Sequence, residues 1–168
     1  MTAKEGLIQQ YRFLYRTIAA NLEAMTEEES ILQPAPGGNC ANWILGHLIV
    51  VQNNALALLG EPPIIQHENL PRGEQGPVTG PENAIPFDEA RTRFLDSEGR
   101  FIAALAGLGE GDLQQAGFTD PFGDSTTKGG LLNLIAFHQA YHAGQLGLSR
   151  RLVGRDGAIK APGAGAAA

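Results

Sequence analysis

Along the first stretch of the chain the apolar residues Leu7, Tyr11, Leu14, Tyr15, Ile18, Leu22 and Met25 recur at intervals of three and four. That interval belongs to one face of a helix, so a first helix is predicted over 7–25. Thr26-Glu27-Glu28-Glu29 has the form of a capping box and predicts a short helical turn, stopped by Pro34-Ala35-Pro36-Gly37-Gly38. A second long helix is expected from about Cys40 to Leu59, with Asn39 as N-cap and Gly60 as its stop. Residues 61–86 carry many Pro and Gly and no periodicity, and so predict a long loop that spans a bundle or covers one end of it. Phe87, Ala90, Phe94, Phe101, Ile102, Leu105 and Leu108 mark a third helix ending at Gly107 and Gly109. Gly111 to Thr126 is expected as loop, and a fourth helix from about Thr127 or Gly129 to Val153, closed by Gly154. Four helices with no alternating strand pattern predict an all-α four-helix bundle over 1–154 and a flexible tail over 155–168.

Composition narrows the function classes. At 168 residues and 43% hydrophobic content, one domain with a sizeable core is expected. The formal charge is −6, from 12 basic and 18 acidic residues, and no stripe of Lys and Arg gathers, which argues against a nucleic-acid partner. No apolar run approaches the roughly 20 residues of a membrane span, and the opening residues carry no apolar signal core, so a cytoplasmic protein is expected. Cys40 is the single cysteine, so no intrachain disulfide forms and a metal site must draw on nitrogen and oxygen.

His138 and His142 stand four residues apart on the fourth helix, which puts them on one face about 6 Å apart along the axis. Advancing about 100° per residue, Leu131, Leu134, Gln145, Ser149 and Leu152 fall on the same stripe, read as core-facing. On the second helix Cys40, Trp43, His47, Val51, Asn54 and Leu58 share a face, so His47 is expected to point inward as well. Burying three imidazoles without partners costs several kcal/mol, and one shared ion removes that cost. Three neutral imidazoles without a fourth protein ligand describe an open site of the kind used in catalysis. Glu98, on the apolar stripe of the third helix, is a candidate acid or base. Gln145 and Asn54 are candidates to orient a ligand or a bound water. Tyr11 and Tyr15 face the interior and read as core residues first. Cys40 lies about 10 Å from His47 along its helix, too far to share the ion, and reads as a small buried residue. His67 belongs to the loop and is left out of the site.

Two segments, Asn42-Trp43-Ile44-Leu45-Gly46-His47-Leu48 and His138-Gln139-Ala140-Tyr141-His142-Ala143-Gly144-Gln145-Leu146 followed by Arg150-Arg151 and Gly154, resemble the signatures of the DinB/YfiT-like metalloenzymes. The resemblance runs helix by helix to Gly154. It implies an up-down-down-up bundle, a divalent ion such as zinc or nickel on His47, His138 and His142, and a homodimer. It further implies transferases that use low-molecular-weight thiols of the bacillithiol or mycothiol kind. Three functions follow as expectations: a metal-dependent thiol transferase acting on a small-molecule substrate, a metal-dependent hydrolase with Glu98 as general base, and a stress-associated protein whose ion only ties two helices.

Overall fold

The computed structural model describes residues 1–35, 37–70 and 77–159. Pro36, part of the loop 61–86 and most of the expected tail therefore lie outside the described residues. The chain is all-α, with four long helices: α1 (Ala3–Leu22), α3 (Ala41–Leu58), α4 (Phe87–Gly107) and α6 (Lys128–Leu152). Two single turns, α2 (Glu27–Ser30) and α5 (Glu110–Leu113), sit in the connections. Among the described residues no helix is long and apolar enough to cross a membrane.

α1 starts earlier than its apolar repeat. Thr2 accepts from the Glu5 amide while the Glu5 carboxylate accepts from the Thr2 amide, a reciprocal cap that adds a turn ahead of Leu7. It also stops earlier, at Leu22, where Ala24 turns left-handed at φ 59°. The box at Thr26 closes as expected, on Glu29. The N-cap of α3 is Cys40 instead of Asn39, without a side-chain cap hydrogen bond. Gly60 ends that helix at φ 76°, a left-handed conformation glycine adopts without steric cost.

α1 packs against α4 and α6, and α3 packs against the same two helices. Between α1 and α4 the interior is aromatic and dry. Tyr11 meets Phe101 at 4.5 Å between ring centroids and Tyr15 meets Phe94 at 5.2 Å, all four fully or almost fully buried. Each large apolar side chain buried in this way contributes about 1.5–3 kcal/mol. The phenols keep partners: Tyr11 donates to the Leu132 carbonyl at 2.8 Å, and the Tyr15 hydroxyl lies 2.8 Å from that of Ser97. Burial raises the pKa of both, that of Tyr15 to about 12, so neither ionises near neutrality. They are core residues, as their position in the first helix suggested.

Neither α1 nor α4 carries a cation in its own last turn. Each borrows one: Arg91 of α4 donates to the Leu22 and Met25 carbonyls, and Lys4 of α1 donates to those of Ala106 and Leu108. The orphan carbonyls at both ends are thereby satisfied across the interface.

The loop after α3 is pinned by asparagines. Asn53 accepts from the Ile64 amide and donates to the Ile65 carbonyl, and buried Asn42 makes the same two-sided clamp on Ile85, just before α4. Pro81–Asn83 forms one 3-10 turn.

The segment expected as loop before the fourth helix contains a small antiparallel hairpin, β1 (Ala116–Thr119) paired with β2 (Ser125–Thr127). Strands of four and three residues are too short to show an alternating pattern, and the register shifts at Gly117, where φ is 100°. Asp120 builds its turn: the carboxylate accepts from the Phe122 and Asp124 amides at 2.8 and 3.0 Å. Gly123 completes it at φ 92°. Thr127 then caps α6 by accepting from the Gly130 amide.

Arg155, where the tail is expected to begin, is not free: it donates to both Glu29 carboxylate oxygens, at 2.9 and 2.7 Å.

Candidate metal centre

The stripe on α3 that carries His47 is not the buried face of the helix. Ile44, Leu45, Leu48, Ile49, Gln52, Ala55 and Leu56 form that face, whereas Trp43, His47, Val51 and Leu58 are half-buried and Asn54 is exposed. The same holds on α6, where Leu132, Ala136, Gln139, Ala143 and Leu146 are buried while Leu131, Leu134 and His138 are only partly covered. Expectation placed both stripes in the core, which holds for Cys40, His142 and Ser149 and not for the other stripe residues. They lie one step round each helix, along the edge where α3 and α6 meet, because a helix face wide enough to pack against two neighbours has apolar borders as well as an apolar centre.

At that edge the three histidines converge. The Nε2 atom of His138 lies 3.4 Å from that of His47 and 3.2 Å from that of His142. All three ligating nitrogens fall within 4.8 Å of one another. Three ligands held about 2.0–2.1 Å from one tetrahedral ion would be about 3.4 Å apart, so the donor set fits zinc or a similar divalent ion. Among the described residues no thiolate or carboxylate joins the cluster, and the site offers three nitrogens.

The protonation state suits a ligand. On the other side of His142, Nδ1 lies 2.8 Å from Gln145 Oε1. A carbonyl oxygen only accepts, so Nδ1 carries the proton and Nε2 presents a lone pair to the cluster. Burial lowers the pKa of all three imidazoles, and for His47 the charges of His142 and His138 add to it, to about 4. At pH 7 the three are neutral and metal-competent.

Aromatic rings fix the imidazoles from outside. Trp43, one turn before His47, stacks on it at 5.1 Å and 12° between planes. Tyr141 meets the edge of His142 at 5.2 Å. The indole N–H of Trp43 is buried without a protein partner. Behind the histidines buried Gln139 donates to buried Gln52, a bond between α6 and α3. Composition patterns did not single out Trp43, Gln52 or Gln139; the one available signal was the four-residue spacing of Trp43 from His47, which puts the two rings on one face.

The remaining candidates separate. Gln145 is at the site through His142. Asn54 lies on the same side of α3, exposed, in a cleft that His138 also lines. Glu98 is half-buried on α4 and makes no hydrogen bond or ion pair with the histidines; its charge is felt at Tyr15, between α1 and α4. Helix periodicity carries no information about which neighbour a face meets. Cys40 is fully buried, which raises its thiol pKa and leaves it inert. His67 turns back on its own loop, accepting from the Asn69 amide.

The chain is mostly helical, and the three histidines that converge from two of its helices could hold a metal ion. The chain belongs to the DinB superfamily, whose sequence pattern it matches over residues 10–146. Among solved structures it resembles that of a conserved protein from Enterococcus faecalis, with a TM-score of 0.63 and 19% identity over 91% of this chain and 98% of the other. That likeness is one of fold. No curated protein matches the chain.

Proposed function

We propose that this protein is a divalent-metal-dependent enzyme that joins a low-molecular-weight thiol to a small electrophilic substrate. The observation that carries the reading is the approach of three neutral Nε2 atoms, 3.2 and 3.4 Å apart, with no fourth protein ligand among the described residues. His47, His138 and His142 would hold the ion. The chemistry an ion supplies at such a site is Lewis-acid charge, which lowers the pKa of a thiol or water that it binds. Gln145 keeps the His142 tautomer, Trp43 holds the plane of the His47 ring, and Asn54 offers an amide at the open side. Glu98 has no part in this reading, since it lies apart from the histidine cluster. A hydrolase that relies on it as base is therefore the weaker alternative.

The reading includes an up-down-down-up bundle. Contacts of α1 with α6 that advance together, Tyr11 with Leu132 and Asn21 with Ala143, support a parallel pair. Contacts of α1 with α4 that run in opposite senses, Lys4 with Leu108 and Arg91 with Leu22, support an antiparallel one. It also takes the protein to be a cytoplasmic homodimer. Exposed Tyr141, Leu148 and Leu152 on α6, outside the cleft that His138 lines, support a surface for a second copy.

The test is metal-loaded protein mixed with a panel of cellular thiols and electrophiles such as an epoxide and a chlorinated aromatic. Thiol consumption that depends on metal and is lost in His142→Ala is expected; consumption independent of metal overturns the proposal.

A further inference from the structure

The histidine cluster opens sideways. Between α3 and α6, past His138, runs a cleft of about 620 Å³. One wall is a stripe of α3 including Val51 and Leu58, the other a stripe of α6 including Leu131 and Leu134. Phe122, 82% exposed in the β1–β2 turn, also lines the cleft. The backbone beneath Phe122 is held by Asp120 on both sides of the turn, so the phenyl ring is displayed by a braced loop. Among the described residues no Asp, Glu, Lys or Arg lines the cleft, and apart from His138 its polar side chain is Asn54.

An apolar hollow on a surface normally has an occupant. The volume lies within the roughly 300–1,000 Å³ of small-molecule sites. A charged ligand would lose its hydration there with no countercharge to replace it. Of the three histidines His138 lines the cleft, and its Nε2 lies 3.2 Å from that of His142, so the cleft adjoins the cluster through His138.

We infer that this cleft is the acceptor subsite of the centre, and that it takes an uncharged molecule with an aromatic or branched apolar body whose reactive end lies at the three histidines. The inference rests on the metal-site reading above and adds the substrate class to it. A cysteine-derived thiol carries charged groups that these walls do not solvate, so the cleft serves the electrophile and the thiol approaches from another side.

Two hydroxamates test it by calorimetry on the zinc-loaded full chain: acetohydroxamate, which reads the ion alone, and benzohydroxamate, which adds a phenyl body. Benzohydroxamate is expected to bind about tenfold more tightly or better. The ratio of the two affinities should collapse toward one in Leu134→Asp, which breaks a wall. Phe122→Ser should reduce it severalfold, and its exposed position keeps folding out of the result. A ratio near one in the parent protein, or one unchanged in both variants, overturns the inference. If neither hydroxamate binds, the metal reading has failed by itself, and the cleft is judged separately with the neutral dye N-phenyl-1-naphthylamine on metal-free protein. Fluorescence enhancement lost in both variants upholds an apolar subsite; equal enhancement in all three overturns it. Sedimentation of the same samples covers the remaining occupant, since a dimer that Leu134→Asp makes monomeric would mean that a second copy fills the cleft, which also overturns it.

Discussion

The α1–α4 interface and the α3–α6 edge are built from the same helical repeat and do opposite things. In the first, Tyr11, Tyr15, Phe94 and Phe101 bury their rings, the hydroxyls are paired inside, and cations exchanged at the two ends cap both helices. In the second, His142 is buried and His47 half-buried, while His138, Val51, Leu58, Leu131 and Leu134 are only partly covered and border an open cleft. One interface supplies stability and the other keeps reactive nitrogen near solvent. A bundle can carry a site of unsatisfied lone pairs because that cost falls on a border while a dry core elsewhere holds the fold.

The largest effect should come from cutting into the dry side. Phe94→Ala removes a fully buried ring and leaves a cavity, for an expected loss of about 3–5 kcal/mol in denaturant unfolding. Equal loss from His142→Ala in metal-free protein would erase the contrast between the two regions. That second variant should instead act on metal: elemental analysis of untagged protein is expected to find about one equivalent of ion in the parent and almost none in the variant. Gln145→Ala leaves all three ligands but frees the His142 tautomer, and competition against a chromophoric chelator should show metal affinity lower by about 10–100-fold.

Acid should separate the regions as well. The His47 pKa is depressed to about 4 in the folded chain against about 6.5 unfolded, so the unfolded state takes up the proton first. The stability of metal-free protein is therefore expected to be at its full value above about pH 6.5 and to fall as pH drops from there toward 4, as followed by circular dichroism. His47→Phe should flatten part of that slope; an unchanged slope would remove His47 as its source. The smallest effect is assigned to Tyr11→Phe, which loses the bond to the Leu132 carbonyl and keeps the ring, for about 1 kcal/mol by thermal unfolding.

Much of this was legible residue by residue. The long helices follow from apolar spacing, two of their ends from Gly60 and Gly154, and the short turn α2 from the box at Thr26. The histidine set was accessible because three imidazoles at core-like spacing demand a common partner. What escaped was of two kinds. The hairpin is held by pairing across a turn and a bulge, with strands too short to print a period on the chain. Trp43, Gln52 and Gln139 look ordinary in one dimension and gain meaning only from the ring or amide opposite.

By itself, then, the order of residues determined the mostly helical class, the four long helices and the three histidines that converge, since each depends on spacing within one helix or on the chemistry of a side chain. Only the tertiary structure decided that His138 borders a cleft while His142 is buried, that Glu98 stands outside the histidine cluster, and that α1 and α4 cap one another. The physical reason is that periodicity specifies the direction in which a side chain leaves its own helix, whereas its function depends on which neighbouring element meets it there and how closely.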